Sequence, residues 1–238
     1  MIISLHTPKA GGTSFKMLLE NHYKKGFKSD YIDIPINKPL KDRLEDIDLF
    51  KSKMTFIKRR IFKYRFKCVH GHFLISKYSA FIDNKDVKYI TWLRDPLERL
   101  ISHYYYWQRA YNSETSAPLH LKVIEEGWTL EEFCLSKEMQ NMYSQFLLDF
   151  PIERFDFIGI MEYFDDDVKF FSESFLKTTI NEIPHLNVRA KKENEYIKDE
   201  SLINKIRQFH QKDYQLYNFA LQKRLNRIEN QERLFDTF

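Results

Sequence analysis

The feature that most constrains this chain is a pair of adjacent glycines, Gly11 and Gly12, set between a short apolar run and an amphipathic stripe. Glycine is scarce, with 6 in 238 residues, against a usual share of about 7%, so two in a row mark a backbone requirement. Ile2-Ile3-Ser4-Leu5 is β-prone and leads directly into Thr7-Pro8-Lys9-Ala10-Gly11-Gly12-Thr13-Ser14. Beyond it Phe15, Leu18, Leu19 and His22 recur at helical spacing. Strand, glycine turn and helix in that order leave free N–H groups at the positive end of a helix, a ready site for a phosphate-like anion. Ala10, Gly11, Gly12, Thr13 and Ser14 form the candidate cradle, and Lys9 adds a mobile cation. A tight turn without a ligand is the plainer reading, and the Lys, Thr and Ser beside the glycines weigh against it. The lysine precedes the glycines, so the P-loop order G-x-x-x-x-G-K-[ST] is absent and an ordinary NTPase reading is weakened.

The alternation of strand and helix continues. Strand candidates lie at Phe66 to Val69, running into His70-Gly71-His72, at Val87 to Leu93, and at Phe155 to Met161. Asp95-Pro96-Leu97-Glu98 carries an N-cap, a proline at the first helical position and a capping acid. Thr129-Leu130-Glu131-Glu132 signals another helix start, Lys137 to Leu148 reads helical, and Asp165-Asp166-Asp167 opens a helix to about Lys177. Leu202 to Ile228 reads as one long closing helix. With no repeat and no Pro/Gly/Ser linker, residues 1–238 are expected to form one α/β domain, a parallel sheet flanked by helices.

Composition narrows the class. The 38 aromatics (21 Phe, 14 Tyr, 3 Trp) argue against disorder, and a net charge of +4 suits an anionic ligand but not a dedicated nucleic-acid module. Two cysteines, Cys68 and Cys134, supply neither a disulfide framework nor a CxxC metal site. No run approaches 18 apolar residues and Met1 to Leu5 is too short for a signal peptide, so a soluble, cytoplasmic protein without a transmembrane segment is expected.

Arg94 stands at a strand tip, where α/β ligands bind, and offers a planar fork for a phosphate. Ser102 lies about 9 Å along the helix from Pro96, a gap that the arginine largely bridges. A salt bridge to Asp95 or Glu98 is the structural alternative for Arg94. For any reaction that must take up a proton, such as attack by a hydroxyl acceptor, His70 and His72, sharing one face of an extended strand about 6.6 Å apart, are the candidate bases. An ordinary polar strand end and a His-x-His metal pair are the competing readings; no Cys or His-Glu cluster nearby completes a metal site. His6 either faces the acceptor or is a buried histidine bonded to backbone. Arg189, Lys191 and Lys192 follow the Pro184 to Asn187 loop and close over a nucleotide or form a solvated loop. Residues 51–67 hold eight Lys or Arg and no acid, interleaved with aromatics. They line an acidic-saccharide groove, bind nucleic acid, or cover apolar surface as an exposed helix.

His6-Thr7-Pro8-Lys9-Ala10-Gly11-Gly12-Thr13-Ser14 resembles the 5′-phosphosulfate loop H-x-P-K-T-G-G-T-S of sulfotransferase family 2, the carbohydrate O-sulfotransferases, departing only at Ala10. Arg94-Asp95-Pro96-Leu97-Glu98-Arg99-Leu100-Ile101-Ser102 and the following His103-Tyr104-Tyr105-Tyr106 resemble its 3′-phosphate motif, especially in the heparan sulfate and uronyl 2-O-sulfotransferases. Weaker echoes occur at Asp156 to Glu162, Ile183 to Asn187 and Asp213 to Tyr217. The resemblance implies a P-loop-like α/β fold and a PAPS-dependent transferase, with 3′-phosphoadenosine 5′-phosphosulfate (PAPS) as donor and no metal. It implies a hydroxyl acceptor, a saccharide, with PAP (adenosine 3′,5′-bisphosphate) as product. His70-Gly71-His72 resembles the 2-O-sulfotransferase pair in which a histidine is the proposed base, here His72, with His70 orienting substrate or assisting. The family's Golgi members carry a membrane anchor, and its lack in this sequence points to a cytoplasmic acceptor. An ATP-dependent small-molecule kinase and a non-enzymatic basic module acting through residues 51–67 are the alternatives.

Overall fold

The structure is a computed structural model and describes residues 1–31, 39–148, 150–180, 183 and 197–235. Five strands, β1 (Ile2–Leu5), β2 (Phe27–Ser29), β3 (Cys68–Gly71), β4 (Lys88–Leu93) and β5 (Phe157–Ile160), form one sheet in the order β2-β3-β1-β4-β5. Every neighbouring pair is parallel, with Ser4 opposite His70 on one side and Ile90 on the other. The helices are α1 (Gly12–Tyr23), α2 (Leu40–Lys53), α3 (Phe56–Arg65), α4 (Pro96–Ala110), α5 (Pro118–Glu125), α6 (Leu130–Cys134), α7 (Met142–Leu147), α8 (Phe164–Phe171), α9 (Glu200–Phe209) and α10 (Gln211–Phe235). A π-helical turn, Ser172–Leu176, extends α8.

Successive strand residues point to opposite faces, so a parallel sheet needs two cores. Ile2, Cys68, Ile90, Trp92 and Phe157 pack with Phe15 and Leu19 of α1 and with Val168 and Phe171 of α8. Ile3, Val69, Tyr89, Leu93 and Ile158 enter the larger core with Leu100 of α4, Phe146 of α7 and Ala220 of α10. The result is a single mixed α/β domain, as the strand and helix signals lead one to expect.

Several boundaries differ from the sequence reading. β2 has no counterpart in the sequence patterns; it has three residues, too few to show a period, and lies at the sheet edge beside β3. β3 begins at Cys68 rather than Phe66, because Phe66 still closes α3 through its N–H to the Phe62 carbonyl. The helix expected from Lys137 shortens to α7, whose first amides, Tyr143 and Ser144, donate to the Asp213 carboxylate at 3.0 and 3.1 Å. The closing helix breaks in two at His210, which is buried with its Nε2 2.7 Å from the Cys134 carbonyl.

The basic segment contributes α3. Arg59 donates to the Ala80 carbonyl at 3.1 Å, Lys63 pairs with Asp86 at 2.8 Å, and Phe62 packs against Tyr78 and Phe81. Arg59 and Lys63 are thus bonded to polar groups of the protein itself, while Phe62 faces the core.

Candidate active site

The turn after β1 is built from unusual backbone. Lys9 has φ 67° and Gly11 φ 73°, both left-handed, and Gly11 caps α1 without any side-chain hydrogen bond. A lysine in this region costs about 1–3 kcal/mol, the kind of strain that clusters at ligand sites. No acidic residue stands in the first turn of α1, so the helix places no carboxylate of its own at its positive end. Ala10 is fully buried beneath the turn.

Lys9 reaches back over the turn, its Nζ 4.1 Å from the Tyr106 ring centroid on α4. Burial, followed by the positive charges of Arg109 and Arg94, lowers its pKa to about 8. The ammonium remains the major form at neutral pH. Tyr106, the last of three consecutive tyrosines on α4, thereby joins the loop to the far end of that helix.

Gly12 is required by a contact invisible in the sequence. A Cβ there would lie 1.7 Å from His6 Nε2, so the imidazole of His6 sits on the first residue of α1. That ring is also stacked on His72, 4.4 Å between centroids at 28°, and on His70, 5.2 Å at 17°. The pair read from the sequence is thus a stack of three, with His6 in the middle. Tyr31 closes it: its hydroxyl lies 3.0 Å from His6 Nδ1 and its ring meets His72 edge-on at 4.8 Å. Tyr31 carried no signal in the sequence, since it follows a three-residue strand.

The three histidines differ in surroundings. His72 Nδ1 is 2.6 Å from the His6 carbonyl; a carbonyl only accepts, so Nδ1 carries the proton and Nε2 the lone pair. Burial lowers the His72 pKa to about 4, partly opposed by that hydrogen bond. The expected near-neutral base is therefore a weaker one, because desolvation disfavours its imidazolium. His70 is 1% exposed, its Nδ1 2.8 Å from Ser4 Oγ, and burial followed by the charge of His72 lowers its pKa to about 3. It lies beneath His6, so the ring of His6, not His70, adjoins His72. His6 titrates well below 6.5, again chiefly from burial. Gly71 admits backbone: the Asp30 carbonyl oxygen is 1.7 Å from where its Cβ would stand.

Arg94 follows β4 and pairs with Glu98 at 3.2 Å, so the ion pair weighed as its structural alternative is present. The pair is partly exposed and singly bonded, which leaves guanidinium donors for an anion. Asp95 caps α4 through the Glu98 amide at 3.0 Å, and Ser102 is half-buried two turns along the same helix. Arg189, with Lys191 and Lys192 and the Pro184 to Asn187 loop, lies outside the described residues. Among the described residues no three His, Cys, Asp or Glu side chains are grouped to hold a metal ion, and no helix is long and apolar enough to cross a membrane. A polar groove of about 530 Å³ lies at the opposite, amino ends of β4 and β5 and includes none of these groups.

Among solved structures, the chain is similar to a sulfotransferase from Alicyclobacillus acidocaldarius, at 13% identity and a TM-score of 0.46, over 92% of this chain and 94% of that one. It is also similar to mouse sulfotransferase SULT7A1 complexed with PAP, at 15% identity and a TM-score of 0.37, over 87% of this chain and 62% of that one. No curated protein matches. The model of the Sulfotransferase family matches residues 1–220, and the chain, with its glycine turn on β1 and its Arg-Asp-Pro tip on β4, belongs to the sulfotransferase family.

Proposed function

We propose that this protein transfers a sulfuryl group from PAPS to a hydroxyl of a saccharide, in line, with His72 as the base. The observation that carries the reading is the position of His6, whose ring touches the donor loop at Gly12 and the base at His72. One imidazole therefore separates the anion cradle from the His72 ring. Such closeness suits a reaction in which donor and acceptor must be held together and charge on the leaving oxygen neutralised.

The roles divide by chemistry. The amides of the Gly11 to Ser14 turn and the Lys9 ammonium bind the 5′-phosphosulfate, and Lys9 meets the negative charge that grows on the departing phosphate oxygen. Arg94 and Ser102 hold the 3′-phosphate, for which the forked guanidinium is suited. His72 Nε2 takes the proton of the attacking hydroxyl as that oxygen bonds to sulfur and the sulfur–phosphate oxygen bond breaks, leaving PAP. His70 supports the stack from below. What supports a saccharide acceptor is the resemblance of His70-Gly71-His72 and of the Arg94 to Tyr106 motif to 2-O-sulfotransferases. The test is incubation with sulfur-labelled PAPS and panels of saccharides, lipids and small alcohols, read by mass spectrometry. Label in a saccharide hydroxyl, strongly reduced in His72→Ala, is expected; label confined to lipids or small alcohols rejects the saccharide.

A further inference from the structure

The backbone at the tip of β4 is gripped from two other elements. The Tyr143 hydroxyl accepts from the Arg94 amide at 3.0 Å and donates to the Arg94 carbonyl at 2.7 Å. One residue on, the Asp95 amide donates to Glu162 Oε1 at 2.9 Å. Tyr143 belongs to α7, and Glu162 to the short 3₁₀ turn Met161–Tyr163 after β5. A phenol is one of the few side chains able to give one residue both a donor and an acceptor.

Tyr143 is itself fixed. It is 0% exposed, and its amide donates to the Asp213 carboxylate, also fully buried, at the start of α10. The Arg99 guanidinium, 0% exposed, stands 5.6 Å from the Tyr143 ring centroid. Hydrogen bonds therefore run from α10 through α7 to the Arg94 backbone. The Arg94 side chain has several rotatable bonds, and its partly exposed ion pair to Glu98 is of a kind worth little. The aim of its fork therefore depends on the placement of its Cα.

We infer that Tyr143 and Glu162 are positioning residues that set the backbone direction at Arg94 and Asp95, so that the Arg94 guanidinium meets the 3′-phosphate of the donor. The inference rests on the proposed role of Arg94. A merely structural tyrosine would, on removal of its hydroxyl, weaken all nucleotide binding alike or none. A positioning tyrosine affects only the ligand that carries the 3′-phosphate.

Calorimetry of adenosine 3′,5′-bisphosphate and of 5′-AMP, on wild type, Tyr143→Phe, Glu162→Ala and Arg94→Ala, with thermal unfolding of each, separates these cases. Tyr143→Phe is expected to weaken bisphosphate binding by about 3- to 10-fold, the range of a hydrogen bond or two, and to leave 5′-AMP affinity unchanged. Glu162→Ala narrows the ratio in the same direction. A folded Tyr143→Phe with the wild-type ratio, or with equal losses for both ligands, overturns the inference. If Tyr143→Phe does not fold, Glu162→Ala, at an exposed position, decides on the same criteria. Arg94→Ala should abolish the preference; if it keeps it, the role of Arg94 fails and the inference with it. Loss in Arg94→Ala beside an unchanged ratio in Tyr143→Phe overturns the inference alone.

Discussion

At the scale of single residues the proposed site rests on Lys9, Gly12 and His72. Lys9 holds a strained backbone conformation and an ammonium already partly desolvated. If that charge meets one that develops only in the transition state, Lys9→Ala lowers turnover more than PAP affinity; equal losses in kcat and binding would assign Lys9 to ground-state binding. Gly12→Ala drives a methyl into His6 Nε2 and should cost about 1–3 kcal/mol together with PAP binding. Adding His6→Ala removes the obstacle, and recovery of PAP binding in the double variant is the expected calorimetric result. His72 is neutral above a pKa of about 4, so kcat/KM should hold down to mildly acid pH and fall as pH drops through that value. His72→Ala should lower turnover by about 10² to 10⁴ and lose that limb. A wild-type limb near 6.5 would assign the titration to another group.

At the scale of elements, caps of the same chemistry have different consequences according to where the helix begins. Thr129 and Glu132 form a reciprocal capping box on α6, with bonds of 2.7 and 3.2 Å, a helix start that carries none of the candidate site residues. Asp95 caps α4 beside Arg94. Each replaced by alanine should lose about 1 kcal/mol of stability, but only Asp95→Ala should also weaken PAP binding. Denaturant unfolding and calorimetry on the two variants check this, and a loss of PAP affinity in Thr129→Ala would show that α6 is coupled to the site.

At the scale of the whole molecule, burial depresses the pKa of five histidines among the described residues: His6, His70, His72, His103 and His210. Unfolding returns each to its ordinary value near 6.5, so between about pH 6.5 and 4 the unfolded chain binds more protons than the folded one. Stability therefore falls as pH falls through that window. Asp167 and Asp213, raised by burial, act in the opposite sense at its acid end, and the imidazoles outnumber them. Tm should decline from pH 7 to 5; a Tm that rises over this interval would contradict the burial of these rings.

Local order carried much of this in the sequence itself. The strand, glycine turn and helix, the Asp-Pro-x-Glu cap and the His-Gly-His strand end are short-range patterns, and they gave a parallel α/β sheet and most of the candidate site. Only the tertiary structure decided what depends on residues far apart in the chain. β2 exists because β3 offers it an edge, and α10 starts anew because His210 and Asp213 turn inward to Cys134 and α7. The pair at His70 and His72 became a stack only when β1 lay beside β3 and brought His6 between them. Tyr31 and Tyr143 carry no spacing signal, because their work is done through hydroxyl groups on partners 25 and 49 residues away. Periodicity reports which face of an element is buried; it is silent on which buried side chain will meet which, and that is fixed by packing alone.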